Sequence, residues 1–312
     1  MQQRTSKPYL NRRRFAALAG AAIPGVSGVA QAPPLIIDTH AHVYSDDEVK
    51  YPTIPKPLRP PAGAGSIDTL RRRAVENGVS GVCLVQTSTF YGFDNRLICD
   101  TARQTRTWTA GVCTLDPDDP GSPAMIRQLV RDFDIRALRS RPGADGRMDS
   151  PGVRELWTAC GGLGITINVL CDPNNADDVA RLLELFPRQR VVIDHCLNLK
   201  AGSESAVLSA LNALARRPNA HAKLTFLPTG SGEPYPFRDM HEPCRAIIAA
   251  FSPDRCVWGS NFPNELWTPR ATYSQNLRLF TRELGLATAA RDAILGSTAL
   301  RLYFRRQPPR MG

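Results

Sequence analysis

Two of the chain's five histidines stand two residues apart at the end of a short apolar run, Leu35-Ile36-Ile37-Asp38-Thr39-His40-Ala41-His42. Alternate residues of a strand face the same way, so His40 and His42 are expected to share a face with each other and with Asp38. Two adjacent imidazoles can grip one metal ion or polarise one substrate oxygen. The plain alternative is a pair of exposed loop histidines. A third histidine ends Val191-Val192-Ile193-Asp194-His195. Alternation puts His195 on the inward face with Val191 and Ile193, and turns Asp194 outward as a support. Arg139 and Arg141 carry planar guanidinium forks that suit a carboxylate. Lys223 interrupts the apolar segment His221-Ala222-Lys223-Leu224-Thr225 as a substrate anchor or a buried ion-pair partner.

Such residues need elements to aim them. Apolar runs of strand length open at Leu35, Ser80, Trp108, Ile135, Ile165, Val191, His221 and Cys256. Helical patterns separate them, over 67–77, 94–105, 123–133, 153–160, 176–186, 203–216 and 243–251, with 273–284 and 289–303 closing the chain. Gly285 separates the last two, and Thr288 is placed to cap the second. Eight apolar strands alternating with helices mean a parallel sheet covered outside. In about 270 residues the best fit is a single (β/α)8 TIM barrel, an α/β fold. An open doubly wound sheet is the alternative, but no glycine-rich phosphate loop follows the first strand. Barrel sites gather at the strands' C-terminal ends. Those ends carry His40, His42, Gln86, Asp116, Arg139, Asn168, His195, Lys223 and Asn261. Just beyond them lie Tyr91, Asp94, Asn95, Arg141, Asp172, Tyr235, Arg238 and Glu265. The long Pro- and Gly-rich stretch 46–66 is expected to be a lid or binding loop.

Composition narrows the partners. The formal charge is +10, but Arg4, Lys7, Arg12, Arg13 and Arg14 fall in the first thirty residues, which hold no acid. Without them, 34 basic residues face 29 acidic ones, scattered and without an aromatic-interleaved stripe. That pattern argues against nucleic acid and fits a small anionic substrate; a homo-oligomer is compatible with it. Asn11-Arg12-Arg13-Arg14-Phe15 resembles a twin-arginine export signal, and the apolar run after it, 16–30, is too short and mild to span a membrane. The expected organisation is a signal peptide over 1–32, a barrel over 33–306 and a short tail over 307–312, in a periplasmic or secreted protein. The eight cysteines form no C-x-x-C pair and read as small buried core residues.

Four stretches together resemble the amidohydrolase-related family of barrel hydrolases: Ile37 to His42, Gln86 with Phe90 to Asn95, Ile193-Asp194-His195, and Val257 to Pro263. The resemblance runs from about Leu35 to Phe304 and looks most like the branch of dicarboxylate and sugar lactonases. It implies a catalytic set of His40, His42, His195 and the residue at 261. Substrate-binding candidates are Tyr91, Asn95, Arg139, Arg141, Lys223, Tyr235, Arg238 and Glu265. The cofactor is none or one divalent metal, zinc or manganese, held by His40, His42 and His195. It also implies that the histidines polarise a lactone carbonyl while an aspartate activates water. That aspartate is Asn261 in this chain, in Gly259-Ser260-Asn261-Phe262-Pro263. A carboxamide cannot take a proton from water at neutral pH. The base is therefore lost or displaced, with Glu265, Asp94 and Asp116 as the nearest carboxylates. A metal-dependent decarboxylase and a non-catalytic binding barrel are the competing expectations.

Overall fold

The computed structural model describes residues 34–311, so the expected leader lies outside the described residues. Eight strands form, each buried along most of its length: β1 Ile37–Ala41, β2 Gly81–Val85, β3 Thr109–Thr114, β4 Ile135–Ser140, β5 Thr166–Val169, β6 Val191–Ile193, β7 Ala220–Lys223 and β8 Cys256–Val257. Each pairs in parallel with the next in chain order. The TIM barrel read from the sequence is the fold. β8 is only two residues long, so the segment after it completes the closure onto β1. Thr39 donates its amide (3.1 Å) and hydroxyl (2.6 Å) to the Trp258 carbonyl. The Asn261 amide then donates to the His40 carbonyl at 2.9 Å, and the His42 amide to the Phe262 carbonyl at 2.8 Å.

Two apolar layers result. One lies between sheet and helices; the other fills the barrel with Ile37, Cys83, Val85, Ala110, Val112, Ala137, Val192 and Val257. The helix Thr298–Tyr303 adds Ala299, Leu302 and Tyr303 to the inner layer and plugs the end away from the site. The Thr166 hydroxyl donates to the Leu302 carbonyl (2.6 Å) and the Tyr303 hydroxyl to Asn168 Oδ1 (2.8 Å). Residues beyond the expected barrel boundary also pack: Pro308 is buried and Met311 lies against the core. All eight cysteines are free and buried, as expected of core residues. Thr288 is the first helical residue, with Ala287 at the cap.

The inner layer corrects two expectations of facing. In β1 the pairing runs Asp38↔Val82 and then Ala41↔Leu84, three steps against two. This bulge inserts one residue and reverses the face of everything after it. Asp38 therefore points outward, accepting from the Tyr273 hydroxyl (2.9 Å) and the Ser260 amide (2.9 Å), while His40 points inward. In β6 it is Val192 and Asp194 that face the interior, while Val191 and Ile193 pack under the helices. The expected lid, 46–66, lies instead against the turn after β2, where Ile54 and Leu58 donate amides to the Phe90 and Thr89 carbonyls.

Candidate active site

A cavity of about 420 Å³ opens at the C-terminal ends of the strands, lined by His42, Arg139, His195, Asn261 and Trp267 among others. Backbone devices set the side chains. His195 sits beyond β6 at φ 53°, and Cys196, Leu197 and Asn198 follow at 48°, 58° and 55°. Four successive non-glycine residues in the left-handed region make a turn that costs roughly 1–2 kcal/mol per residue. The turn swings His195 into the cavity although Asp194 already faces inward. Asn198 Nδ2 holds it by donating to Asp172 Oδ1 at 2.8 Å, and the Cys196 thiol points at the Lys223 carbonyl, 3.3 Å away. Asn261 is also left-handed, φ 55°, which asparagine tolerates better than most residues. Gly259 has no alternative, because a Cβ there would lie 2.5 Å from His40 Cβ.

The centre of the site is a buried charge cluster. Asp194 Oδ2 accepts from Arg139 Nε at 3.1 Å. Its Oδ1 lies 2.8 Å from Lys223 Nζ, off the hydrogen-bonding direction, so that contact is chiefly electrostatic. Arg139 Nη2 then reaches His40 Nε2 at 3.3 Å and His195 Nε2 at 3.4 Å. An arginine only donates, so His195 Nε2 accepts. His40 stands between two cations, its Nδ1 3.5 Å from Lys223 Nζ, and as a neutral ring it accepts from one of the two. His195 must carry its proton on Nδ1, which meets the Thr225 hydroxyl at 2.7 Å. His42 Nδ1 donates to the Val85 carbonyl at 2.8 Å, leaving Nε2 unprotonated, with no partner among the described residues.

Electrostatics keep these rings neutral. Burial, reinforced by Arg139, takes His42 down to about 3. Burial also takes His195 to about 3, with Arg139 and Lys223 adding to it and Asp194 opposing. His40 is held well below 6.5 by burial, then by Lys223, His195 and Arg139. Burial alone would raise Asp194, but Lys223 and Arg139 outweigh it and the group stays ionised. Two cations and one anion leave a net positive floor, and on the cavity wall Arg141 and Lys200 outnumber the one carboxylate, Asp172, which accepts from Asn198.

The histidine triad, Arg139, Arg141 and Asn261 thus come together, with Lys223 buried beneath them. Five other expected residues do not line the cavity. The Tyr91 hydroxyl accepts from the Ser45 amide (3.0 Å). Asn95 ties its loop to Thr114 through both side-chain atoms. Tyr235 bonds Glu283 at 3.3 Å, Arg238 is exposed, and Glu265 lies 3.9 Å from Arg73. Glu265 is therefore not a displaced base. Asp94, ion-paired with Arg96, and Asp116 line a separate groove that also excludes them. Sequence reasoning missed Thr225, Ser88, which accepts from Arg141 Nη1 at 3.0 Å, and Trp267, whose ring lies 5.4 Å from His42. Of these only Thr225 left a signal, lying two residues past Lys223 on the same face.

The donor set does not suit a divalent metal. The Nε2 atoms of His40 and His195 converge on a guanidinium nitrogen, a fixed cation, and Asn261 contributes no charge. Its Nδ2 is committed to the Thr225 carbonyl at 3.1 Å. No group of three or more His, Cys, Asp or Glu disposed to hold a metal occurs among the described residues. The conditional ligand set His40, His42 and His195 is not assembled as one.

This geometry is an eight-stranded parallel barrel with imidazoles and a cation at its mouth. The family model described as amidohydrolase matches residues 37–305, and the chain belongs to that family. It is similar to an L-fucono-1,5-lactonase of Burkholderia ambifaria, 31% identical over 176 residues, which cover 54% of this chain and 60% of that protein. Among solved structures, one assigned as a 2-pyrone-4,6-dicarboxylic acid hydrolase of Pseudomonas putida superposes with a TM-score of 0.75. It is 21% identical and covers 88% of this chain and 99% of that one. An amidohydrolase of Burkholderia multivorans with bound zinc gives 0.71 at 23% identity, covering 86% and 99%.

Proposed function

We propose that the protein opens the ester bond of a small lactone bearing hydroxyl and carboxylate groups. The observation that carries this reading is the uncommitted His42 Nε2 beside Arg139, in a cavity whose wall holds Arg141, Ser88, Thr87 and Thr229. The likeness to a sugar lactonase over part of its length supports it. Water attacks the lactone carbonyl carbon and gives its proton to His42 Nε2. The carbonyl electron pair moves to oxygen, facing the Arg139 guanidinium. Collapse breaks the ring C–O bond, and the departing alkoxide takes the proton back, leaving a hydroxy acid. A free imidazole with its pKa near 3 is a weak base. Burial is the first cause of that depression, and an anionic substrate against Arg139 counters the second, the charge of Arg139.

The decarboxylase alternative needs a metal that these donors do not suit. The binding-barrel alternative rests on Asn261, and His42 offers a base in its place. A panel of sugar 1,5-lactones and unsaturated dicarboxylate lactones, followed by pH-stat, tests the proposal. Saturable turnover abolished in His42→Gln is the expected result; ligand-induced stabilisation without turnover would establish a binding protein instead. Export by a twin-arginine route, on the strength of Arg12-Arg13, is part of the same proposal.

A further inference from the structure

We infer that Arg139 stands in the place of a metal: its guanidinium occupies the point where His40 and His195 converge and presents a fixed positive charge to the substrate carbonyl. The inference rests on the lactone-opening reading for its chemistry, but not for its geometry. Each guanidinium nitrogen has a distinct assignment. Nε is bound by Asp194 (3.1 Å), Nη2 faces the two imidazole nitrogens (3.3 and 3.4 Å), and Nη1 has no partner among the described residues. Arg139 lines the cavity, so the N–H groups of Nη1 are the ones available to substrate.

The neighbours are matched to this role. An arginine buried at the floor of a site needs a counter-charge, and Asp194 supplies it without reaching the cavity. Lys223, fully buried, holds the other oxygen of Asp194 and fixes the carboxylate that orients the fork. Two imidazoles face one guanidinium edge, and His195 accepts from it, which a protonated histidine could not do. Asn261 completes the set. A carboxylate there would be a metal ligand in a metal site, whereas beside an arginine already paired with Asp194 it is not needed for charge balance. The loss of the acid at 261 and the presence of the cation at 139 are then one change of design, from a metal to a guanidinium as electrophile. No bond to Arg139 forms or breaks; it stabilises the oxyanion while water and His42 exchange the proton.

The test is metal content, which needs no turnover. Full-length wild-type protein, Arg139→Met/Asn261→Asp and Arg139→Lys/Asn261→Asp are equilibrated with zinc, desalted and analysed for bound metal. The first and third should carry almost none, and the second about one zinc per chain, with a raised Tm in zinc. If the methionine variant does not fold, Arg139→Gln/Asn261→Asp, which can still donate to Asp194, takes its place. Zinc held stoichiometrically by the wild type overturns the inference. So does equal zinc binding by the lysine variant, or none in a folded variant lacking the cation. A second arm applies once a lactone is turned over. Arg139→Ala should lose about 10²–10³ in kcat with little change in KM, and millimolar guanidinium should restore part of it. Failure of rescue with normal folding overturns the electrophile role. Failure to find any lactone substrate sinks the lactone-opening reading but leaves the zinc result standing.

Discussion

Asp194→Asn separates the charge-cluster account from one in which these residues are ordinary core. The exchange is nearly isosteric, so it opens no cavity and isolates the charge. In the native protein the Asp194 oxygens lie 2.8 Å from Lys223 Nζ and 3.1 Å from Arg139 Nε, with side-chain exposures of 0%, 0% and 7% for Asp194, Lys223 and Arg139. At an effective dielectric of about 20, each attraction is worth roughly 5–6 kcal/mol at such separations. Part of that gain is cancelled by the desolvation of Asp194 itself, which the asparagine no longer suffers. The net for breaking a buried pair is about 3–5 kcal/mol, against a total stability of roughly 5–15 kcal/mol. For a chain of this size that is a fall in Tm on the order of 10 °C. Denaturant unfolding followed by tryptophan fluorescence measures it. Charge counting supplies the control: the native cluster carries a net +1, Asp194→Asn raises it to +2, and adding Lys223→Met returns it to +1. The double variant should therefore recover much of the loss, giving strongly non-additive energies. A loss below about 1 kcal/mol for Asp194→Asn, or additive losses in the double variant, would refute the electrostatic reasoning.

Three further outcomes are expected. His42 and His195 have native values near 3 against 6.5 when free, so unfolding takes up a proton on each between those pH values. Stability is then complete above pH 6.5 and falls on acidification, by roughly 2 kcal/mol per histidine between pH 7 and 5, or about 4 for the pair; a flat urea midpoint over that range would contradict their burial as neutral rings. Asn261→Asp on its own should change turnover by less than about tenfold, because the base is His42; a rise of two to four orders of magnitude would identify 261 as the missing base. Replacing Arg12 and Arg13 by lysine should keep the protein in the cytoplasm, as judged by fractionation, and undiminished periplasmic delivery would dismiss the twin-arginine reading.

The sequence made the barrel legible because eight buried strands leave eight apolar runs, and the helices between them leave their own period. It also brought His40, His42, His195, Arg139 and Asn261 to one end, since strand termini are fixed by where those runs stop. What it could not carry was phase. A bulge is invisible in Ile37-Asp38-Thr39-His40, because every residue there is buried on one side or the other. Alternation grouped Asp38 with the histidines, yet Asp38 braces the outer layer through Tyr273. The same failure inverted β6. Straight alternation assigned His195 inward and Asp194 outward, whereas both reach the interior because a left-handed turn begins at His195. The turn's ends, His195 and Asn198, are types enriched at positive φ, but Cys196 and Leu197 between them are not, so the run of four is not announced. The loop residues failed for a different reason. Tyr235, Arg238 and Glu265 were near the mouth in sequence, but a loop's path is set by what it packs on, not by its distance from a strand.

That distinction bears on the chemistry. Local patterning can nominate nucleophiles, ligands and bases one at a time, each by its own type. The property that decides between a metal centre and a guanidinium centre is joint. It lies in the meeting of Nε2 of His40 and His195, from β1 and the turn after β6, upon a side chain from β4. It is sustained by a carboxylate whose second oxygen belongs to a lysine of β7. Remove any one strand's contribution and the others change meaning. Without Arg139 the two imidazoles are ligands awaiting an ion; without Asp194 the arginine is an uncompensated buried charge; with an aspartate at 261 and no arginine, the site has a metal's full donor set. The amide at 261 is therefore best understood through residue 139, more than a hundred positions away in the chain.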